Sequence, residues 1–121
     1  PHSMINVRVG VAYGTNTSEV EKILRQAAFD QPEVNEHDPI FVVFEDFGDS
    51  ALVFDLRCFV MHPWQRDRIS SDIRFRVDRM FREAGIVIPF PQRDVHLYPT
   101  DPLRVVSGVP SQPSVPSERN D

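Results

Sequence analysis

Apolar and polar side chains alternate at the start of the chain, where every second residue from Ile5 to Val11 is aliphatic. A period of two predicts a strand with one buried face. Further on, aliphatic residues recur at intervals of three and four, the spacing of an amphipathic helix: Val20, Ile23, Leu24, Ala27 and Ala28. Thr17 or Ser18 is predicted to cap this helix, and Pro32 lies beyond its end.

The middle of the chain predicts a hairpin of two strands. Residues from Ile40 to Phe47 are apolar at nearly every position, so both faces of this strand need a cover, or one of them meets a partner. Gly48-Asp49 is typical of a two-residue turn. From Leu52 to Val60 apolar residues again recur at every second position, which predicts a third strand with Cys58 on its buried face. The register stays open, because a longer loop would exchange the faces.

A second helix and a last strand complete the pattern. Pro63 marks the start of the helix and Gly85 its end. Its apolar stripe consists of Ile69, Ile73, Val77, Met80, Phe81 and Ala84. The last strand is predicted over Ile86–Leu97, and Pro89 and Pro91 within it favour a sheet edge or a bulge. The order βαββαβ predicts a ferredoxin-like α+β fold, an antiparallel sheet with two helices on one face.

A chain of 121 residues suits one domain. Pro1, His2 and Ser3 before Met4 are typical of a cloning remnant, so residues 1–4 are set aside as an expression tag. The domain is predicted over 5–98. Residues 99–121 are rich in Pro and Ser and are predicted to be mostly disordered. Within them, 103–106 would form a short strand only if a partner supplied a sheet edge.

Few residues suggest chemistry. The single Cys58 excludes a disulfide framework and a metal site built on several thiolates. No two histidines outside the tag have metal-ligand spacing with an acid between them. Asp46 and Asp49 are ordinary residues around a turn, although an enzyme that uses them remains a third hypothesis. We therefore predict no catalytic, metal-binding or cofactor-binding residue.

Two binding functions need separate treatment. The loop Gly14–Thr17 leads into a helix N-terminus, where an anion can bind, so a regulatory module that holds a small ligand or anion between subunits is the alternative function. RNA binding is disfavoured, because Ser50–Arg57 lacks the aromatic RNA-binding signature and the net charge is −5. No nucleic-acid partner is predicted.

The charge is unevenly distributed along the chain. From Glu19 to Asp55 ten acidic residues accompany only two basic ones, whereas Arg66–Arg82 holds six arginines and three aspartates. Copies of such a chain can associate head to tail, basic surface against acidic surface. Alternatively, the two regions neutralise each other within one monomer. The sequence leaves both possibilities open.

Three stretches carry a family resemblance: Val9–Thr15, Phe44–Leu52 and Phe81–His96, the last with the unusual string Ile-Val-Ile-Pro-Phe-Pro-Gln after a helix that ends in Ala-Gly. With them, the chain from about Ile5 to Leu97 resembles the C-terminal cytoplasmic domain of the small-conductance mechanosensitive ion channel family. The resemblance implies a homoheptamer in the cell inner or plasma membrane. It places this domain on the cytoplasmic side, in the wall of a hollow cage that filters solutes and helps subunits assemble. The membrane-spanning segments would lie in parts of the polypeptide absent from this sequence.

A cage wall made of repeated copies requires contacts between subunits. We predict that these contacts join two sets of residues. One set is the exposed aromatic and the arginines of the second helix, Phe75, Arg76, Arg79 and Arg82. The other is the acidic loop before the second strand, with Glu33, Glu36 and Asp38.

Overall fold

The computed structural model describes residues 3–91, which form a three-stranded antiparallel sheet and two α-helices. In chain order the elements are β1 (Ser3–Val11), α1 (Thr17–Phe29), β2 (Phe41–Phe47), β3 (Leu52–Val60) and α2 (Arg66–Glu83). A 3₁₀ turn over Pro63–Gln65 leads into α2. The predicted α+β class and the order of these five elements are confirmed.

β3 lies in the centre of the sheet, between β1 and β2. It pairs with β1 without interruption, Val7 opposite Leu56 and Ile5 opposite Cys58. Directly opposite residues share a face, so the aliphatic side chains of both strands form one buried layer. Both helices pack on this layer, α2 over β1 and α1 over β2 and β3.

The helices bury the stripes that their spacing predicts. α1 buries Val20, Leu24, Ala27 and Ala28, and α2 buries Ile69, Ile73, Val77 and Phe81. The predicted cap of α1 was wrong by one residue, because Asn16 occupies the N-cap position in an extended conformation and its Oδ1 accepts from the Glu19 amide at 3.2 Å. Asparagine is as good an N-cap as serine, and it precedes Thr17 and Ser18 in the chain.

The hairpin between β2 and β3 differs from the predicted two-residue turn. Phe47 pairs with Leu52, so the loop has four residues, closed by a 2.8 Å hydrogen bond from the Gly48 amide to the Ala51 carbonyl. A bulge shifts the register between Phe44 and Asp46, leaving Glu45 as the extra residue. Because of this extra residue, Phe44 and Phe47 both lie on the sheet face that carries the helices.

After α2 the chain turns at Gly85, whose φ of +74° favours glycine, and reaches the outer side of β1. The Ala12 amide donates to the Val87 carbonyl at 2.9 Å. The predicted last strand is not formed over 86–91, where Pro89 and Pro91 have no amide hydrogen to donate. The rest of that strand, the tail over 99–121 and the strand at 103–106 lie outside the described residues.

Candidate subunit-contact surfaces

The outward face of α2 centres on Phe75, whose side chain is 75% exposed. It lies opposite the buried stripe, as expected from a helical repeat of 3.6 residues. Ser71, Arg74 and Asp78 line a shallow depression with it. These four residues are called the Phe75 patch. Helical periodicity predicts that Phe75, at the centre of the patch, is exposed, and the structure places its side chain at the surface.

Arg79 and Arg82 lie on the exposed side of α2, next to this patch. Arg79 Nε is 3.8 Å from Glu83, and Arg82 is hydrogen-bonded to Asp78. Both are exposed pairs one helical turn apart, which contribute only about 0.3–0.5 kcal/mol each. The two arginines therefore remain available to a partner, and their predicted role in subunit contacts stays a prediction.

Arg76 is directed into the molecule, toward α1. Its Nη1 donates to the Ala27 carbonyl at 3.1 Å and to Gln31 Oε1 at 2.8 Å, and Gln31 is itself buried. Asp72, one helical turn before Arg76, accepts from Arg68 at 2.8 Å. The structure thus gives Arg76 a role between the two helices and does not bring it to the Phe75 patch.

The acidic loop lies beside α2 of the same chain. Arg68 Nη2 donates to Glu33 Oε2 at 2.7 Å, and this hydrogen bond is the main cause that lowers the pKa of Glu33. Gln31 donates to the same carboxylate at 2.6 Å. At this pair an acid of the acidic region and an arginine of the basic region neutralise each other within one monomer. The alternative to association between copies predicts this kind of contact.

The other two predicted acids of this loop differ in their surroundings. Asp38 Oδ2 accepts from Asn35 Nδ2 at 3.1 Å, which ties it to the loop. Glu36 is exposed, and its nearest ionisable neighbour is His37, with 3.7 Å between Oε2 and Nε2. Of the three predicted acids, Glu36 is the one whose carboxylate faces solvent with no arginine or lysine partner among the described residues.

A second exposed aromatic cluster, which the contact prediction missed, lies where β1 ends and the hairpin turns. Phe44 stacks on the buried Phe54 with ring centroids 4.6 Å apart, and its other neighbour is Phe47 at 4.9 Å. The Tyr13 hydroxyl donates to the Gly48 carbonyl. Tyr13, Phe44 and Phe47 are called the aromatic corner, and Phe47 is its most exposed member at 71%. The nearly continuous apolar run of β2 was the signal that pointed to it.

Ion pairs connect the three strands on the sheet face without helices. Arg8 Nε of β1 lies 3.0 Å from Oε1 of Glu45, the bulge residue of β2, and so spans the central strand. Arg57 Nη2 lies 3.8 Å from Glu45 Oε2, while its Nε donates to Asp55 at 2.7 Å. Glu45 is therefore neutralised by arginines of its own chain.

The loop Gly14–Thr17 is organised as a turn and a helix cap. Gly14 has a φ of +90°, and the Thr15 hydroxyl donates to the Ala12 carbonyl at 2.6 Å. The Asn16 side chain already accepts a hydrogen bond from the Glu19 amide. The charge on the first turn of α1 is the carboxylate of Glu19, which repels an anion. The geometry gives no support to a ligand at this loop.

No group of three or more His, Cys, Asp or Glu side chains within residues 3–91 could hold a metal ion, Asp46 and Asp49 included. Cys58 is fully buried, and burial raises the pKa of its thiol to about 11. Its predicted role as a small core residue is confirmed. In the same part of the chain, neither helix combines the length and apolar character that crossing a bilayer needs.

Comparison with known proteins assigns this fold to a family. The family model described as "Mechanosensitive ion channel MscS, C-terminal" matches residues 5–88, from β1 through the turn after α2. The chain belongs to the MscS family. The predicted relation to small-conductance mechanosensitive channels is thereby confirmed.

Two relatives show how much of an MscS-family protein this chain represents. It is 39% identical over 93 residues to the mechanosensitive channel MscK of Escherichia coli. The aligned region covers 76% of this chain and 8% of MscK. It is 29% identical over 102 residues to the small-conductance mechanosensitive channel of Edwardsiella ictaluri, covering 81% and 34%. The chain thus spans a minor part of both relatives.

A solved structure has the same fold. The crystal structure of Helicobacter pylori MscS in its closed state superimposes with a TM-score of 0.71 and 24% sequence identity. The match covers 80% of this chain and 38% of that one. At this identity the likeness establishes the architecture of the domain.

Proposed function

We propose that this MscS-family domain is a structural part of a mechanosensitive channel. It lies on the cytoplasmic side of the membrane, joins copies of its subunit into a cage and filters solutes, with no chemistry of its own. The observation that carries this proposal is that large aromatic side chains on separate surfaces of this small domain are mostly exposed. Phe75 and Phe47 are 75% and 71% exposed, on two separate surfaces.

Exposed aromatic rings beside charged residues are typical of contact surfaces between proteins. The core of the described part does not use them, since neither Phe75 nor Phe47 belongs to its buried cluster. Two different surfaces on one subunit favour a heterologous contact, in which each copy binds the next and the series closes into a ring. A closed ring of subunits is the form that a cage requires, and the number seven follows from the family resemblance.

The proposal also agrees with the chemistry that the domain offers. The carboxylates near the hairpin are spread over a turn and a bulge, and Glu45 is occupied by two arginines. The single cysteine, Cys58, is buried and its thiol is neutral. Shape, charge and exposed aromatic area are what these residues contribute, and they suit a wall and an assembly element.

The test uses the natural polypeptide that contains this domain, expressed in cells that lack other mechanosensitive channels. We expect tension-activated currents in membrane patches and a single closed oligomer in native mass spectrometry. A variant without residues 5–98 should show a reduced oligomer fraction and altered solute selectivity. A polypeptide that forms no oligomer and carries no current would contradict the proposal. Oligomers and currents unaffected by the deletion would refute the assembly and filtering roles.

A further inference from the structure

The aromatic corner lies beside carboxylates that no cation among residues 3–91 balances. Asp46 and Asp49 are exposed, and neither has an ion pair among residues 3–91. The adjacent Glu45 differs, because Arg8 and Arg57 neutralise it. The net free charge beside Phe47 is therefore that of the two aspartates.

The Phe75 patch has the opposite character. Asp78 within it is paired with Arg82 one turn further along α2. Arg74 is exposed and has no ion pair within the described part of the chain. The net free charge beside Phe75 is therefore that of a guanidinium group.

We propose that the Phe75 patch of one subunit docks against the aromatic corner of the next subunit, head to tail. This inference rests on the proposed function and names the two surfaces that would make the contact. Each surface has an exposed phenylalanine at its centre and unpaired charge at its side, and the two charges are opposite in sign. Aromatic centres with charged rims are the usual composition of contact surfaces, and complementary charge fixes their orientation.

The acidic loop is a weaker acceptor than the aromatic corner. Its Glu33 is already bound to Arg68 of the same chain. Glu36 is exposed without an arginine or lysine partner among the described residues, but the loop itself contains no Phe, Tyr or Trp. Asp46 and Asp49 beside the aromatic corner have no such partner in the described part of the chain. The structure thus moves the acidic side of the predicted contact from the loop to the hairpin.

The relative positions of the surfaces favour a heterologous contact over a symmetric pair. α2 packs over β1, whereas Phe44 and Phe47 of the aromatic corner lie on β2 at the opposite edge of the sheet. One subunit can therefore present both surfaces to different neighbours. A two-fold contact between Phe75 patches would instead bring together two surfaces with net free charge of the same sign, which like-charge repulsion disfavours.

Disulfide cross-linking in the natural polypeptide, after removal of its other reactive cysteines, tests this contact. With Phe75→Cys and Phe47→Cys in the same chain, we expect a ladder of covalent multimers under oxidising conditions. Either substitution alone should leave monomers. The matched control combines Phe75→Cys with Phe29→Cys, since Phe29 is similarly exposed at 72% but lies at the end of α1. It should give no ladder.

Each other outcome overturns a defined part of the account. Dimers from Phe75→Cys alone would show a symmetric contact and refute the head-to-tail arrangement. A ladder with Phe29→Cys in place of Phe47→Cys would move the acceptor surface to α1. If native mass spectrometry shows closed oligomers and neither pair cross-links, this inference fails and the proposed function stands. If the protein without cysteine substitutions forms no oligomer, the proposed function fails first.

A charge exchange provides the second measurement. Arg74→Glu should lower the yield of the ladder by about tenfold, because it places like charges together in the contact. Adding Asp46→Arg and Asp49→Arg should restore the yield. Lys22→Glu makes the same change of sign on the outer side of α1 and should leave the yield unchanged. Loss of cross-linking that the aspartate exchange cannot restore would contradict the charge complementarity.

Discussion

The two outer strands of the sheet flank the same central strand, yet they differ in how far the monomer buries them. On β1, Ile5 is 1% exposed and Val7 is fully buried beneath α2. On β2, Phe44 and Phe47 lie on the same sheet face, but they are 40% and 71% exposed. The difference shows that β1 is covered by the described helices, whereas β2 keeps exposed aromatic side chains, which we propose a neighbouring subunit covers.

The largest expected effect contrasts these two strands directly. Ile5→Ala should lower the free energy of unfolding by about 2–5 kcal/mol, because it removes buried methylene groups and leaves a cavity. Phe47→Ala removes a larger side chain, but one that is mostly exposed, and should cost less than about 1 kcal/mol. Urea unfolding followed by far-ultraviolet circular dichroism measures both. A Phe47→Ala loss as large as that of Ile5→Ala would abolish the distinction between the strands.

A smaller effect is expected between the helices, where Arg76 connects α2 to α1. Arg76→Met should lower the free energy of unfolding by about 1–3 kcal/mol, because the buried Gln31 and the Ala27 carbonyl lose their donor. Arg79→Met is the matched control on the exposed side of the same helix and should cost under about 0.5 kcal/mol. Equal losses in the two variants would show that Arg76 has no special role inside the monomer.

The acid dependence of stability should change through Glu33. Its folded pKa is lowered from the ordinary 4.5, so its contribution is present above that value and is lost as pH falls through the lower folded pKa. Glu33→Gln should therefore be less stable than the unmodified chain at about pH 6, with the difference shrinking as the pH falls below 4.5. Glu36→Gln, whose carboxylate has no arginine partner among the described residues, should show a smaller difference. A constant gap between Glu33→Gln and the unmodified chain across this range would contradict the assignment.

The smallest expected effect concerns the loop Gly14–Thr17 next to the aromatic corner. A thermal-shift screen with phosphate, amino acids and nucleotides should change the Tm by less than about 1 °C, since a bound ligand stabilises the folded state only in proportion to its affinity. A specific and saturable increase, lost when Asn16 is changed to Ala, would favour the regulatory alternative. It would also give the end of β1 a function of its own.

The parts of the fold that follow from burial could be predicted from sequence. The alternation along β1 and β3 and the stripes of α1 and α2 correspond to side chains that the core fully encloses. The family resemblance was carried by local strings such as Phe81–Val87, which lie in the matched region. Burial dominates the folding free energy of these segments, so their apolar residues follow the period of the strand or helix.

Features that depend on backbone details were less predictable. Gly48-Asp49 favours a tight turn, yet the chain closes a four-residue loop and inserts a bulge at Glu45. No periodicity encodes an extra residue, and this residue decides that Phe47 shares a face with Phe44. For the same reason the aromatic corner was missed as a contact surface.

Charge patterns located the basic helix but not the partners of its arginines. Arg68, Arg76 and Arg74 are close in sequence, but the first binds Glu33, the second binds α1 and the third is without an ion pair in the described region. Their different directions around the helix decide these roles, and long flexible side chains can reach several partners. Sequence therefore predicted a basic face, and the structure selects Arg74 as its free charge beside Phe75.

The most direct test of the central claim compares the accessibility of the two strands in the assembled channel. Maleimide labelling of Phe47→Cys should be at least about tenfold slower in the intact oligomer than in the detergent-dissociated subunit, because the neighbouring subunit excludes the reagent. Labelling of Phe29→Cys should be equally fast in both states. Equal rates at Phe47→Cys in the assembled and dissociated protein would contradict the claim that β2 carries a surface completed by a neighbour.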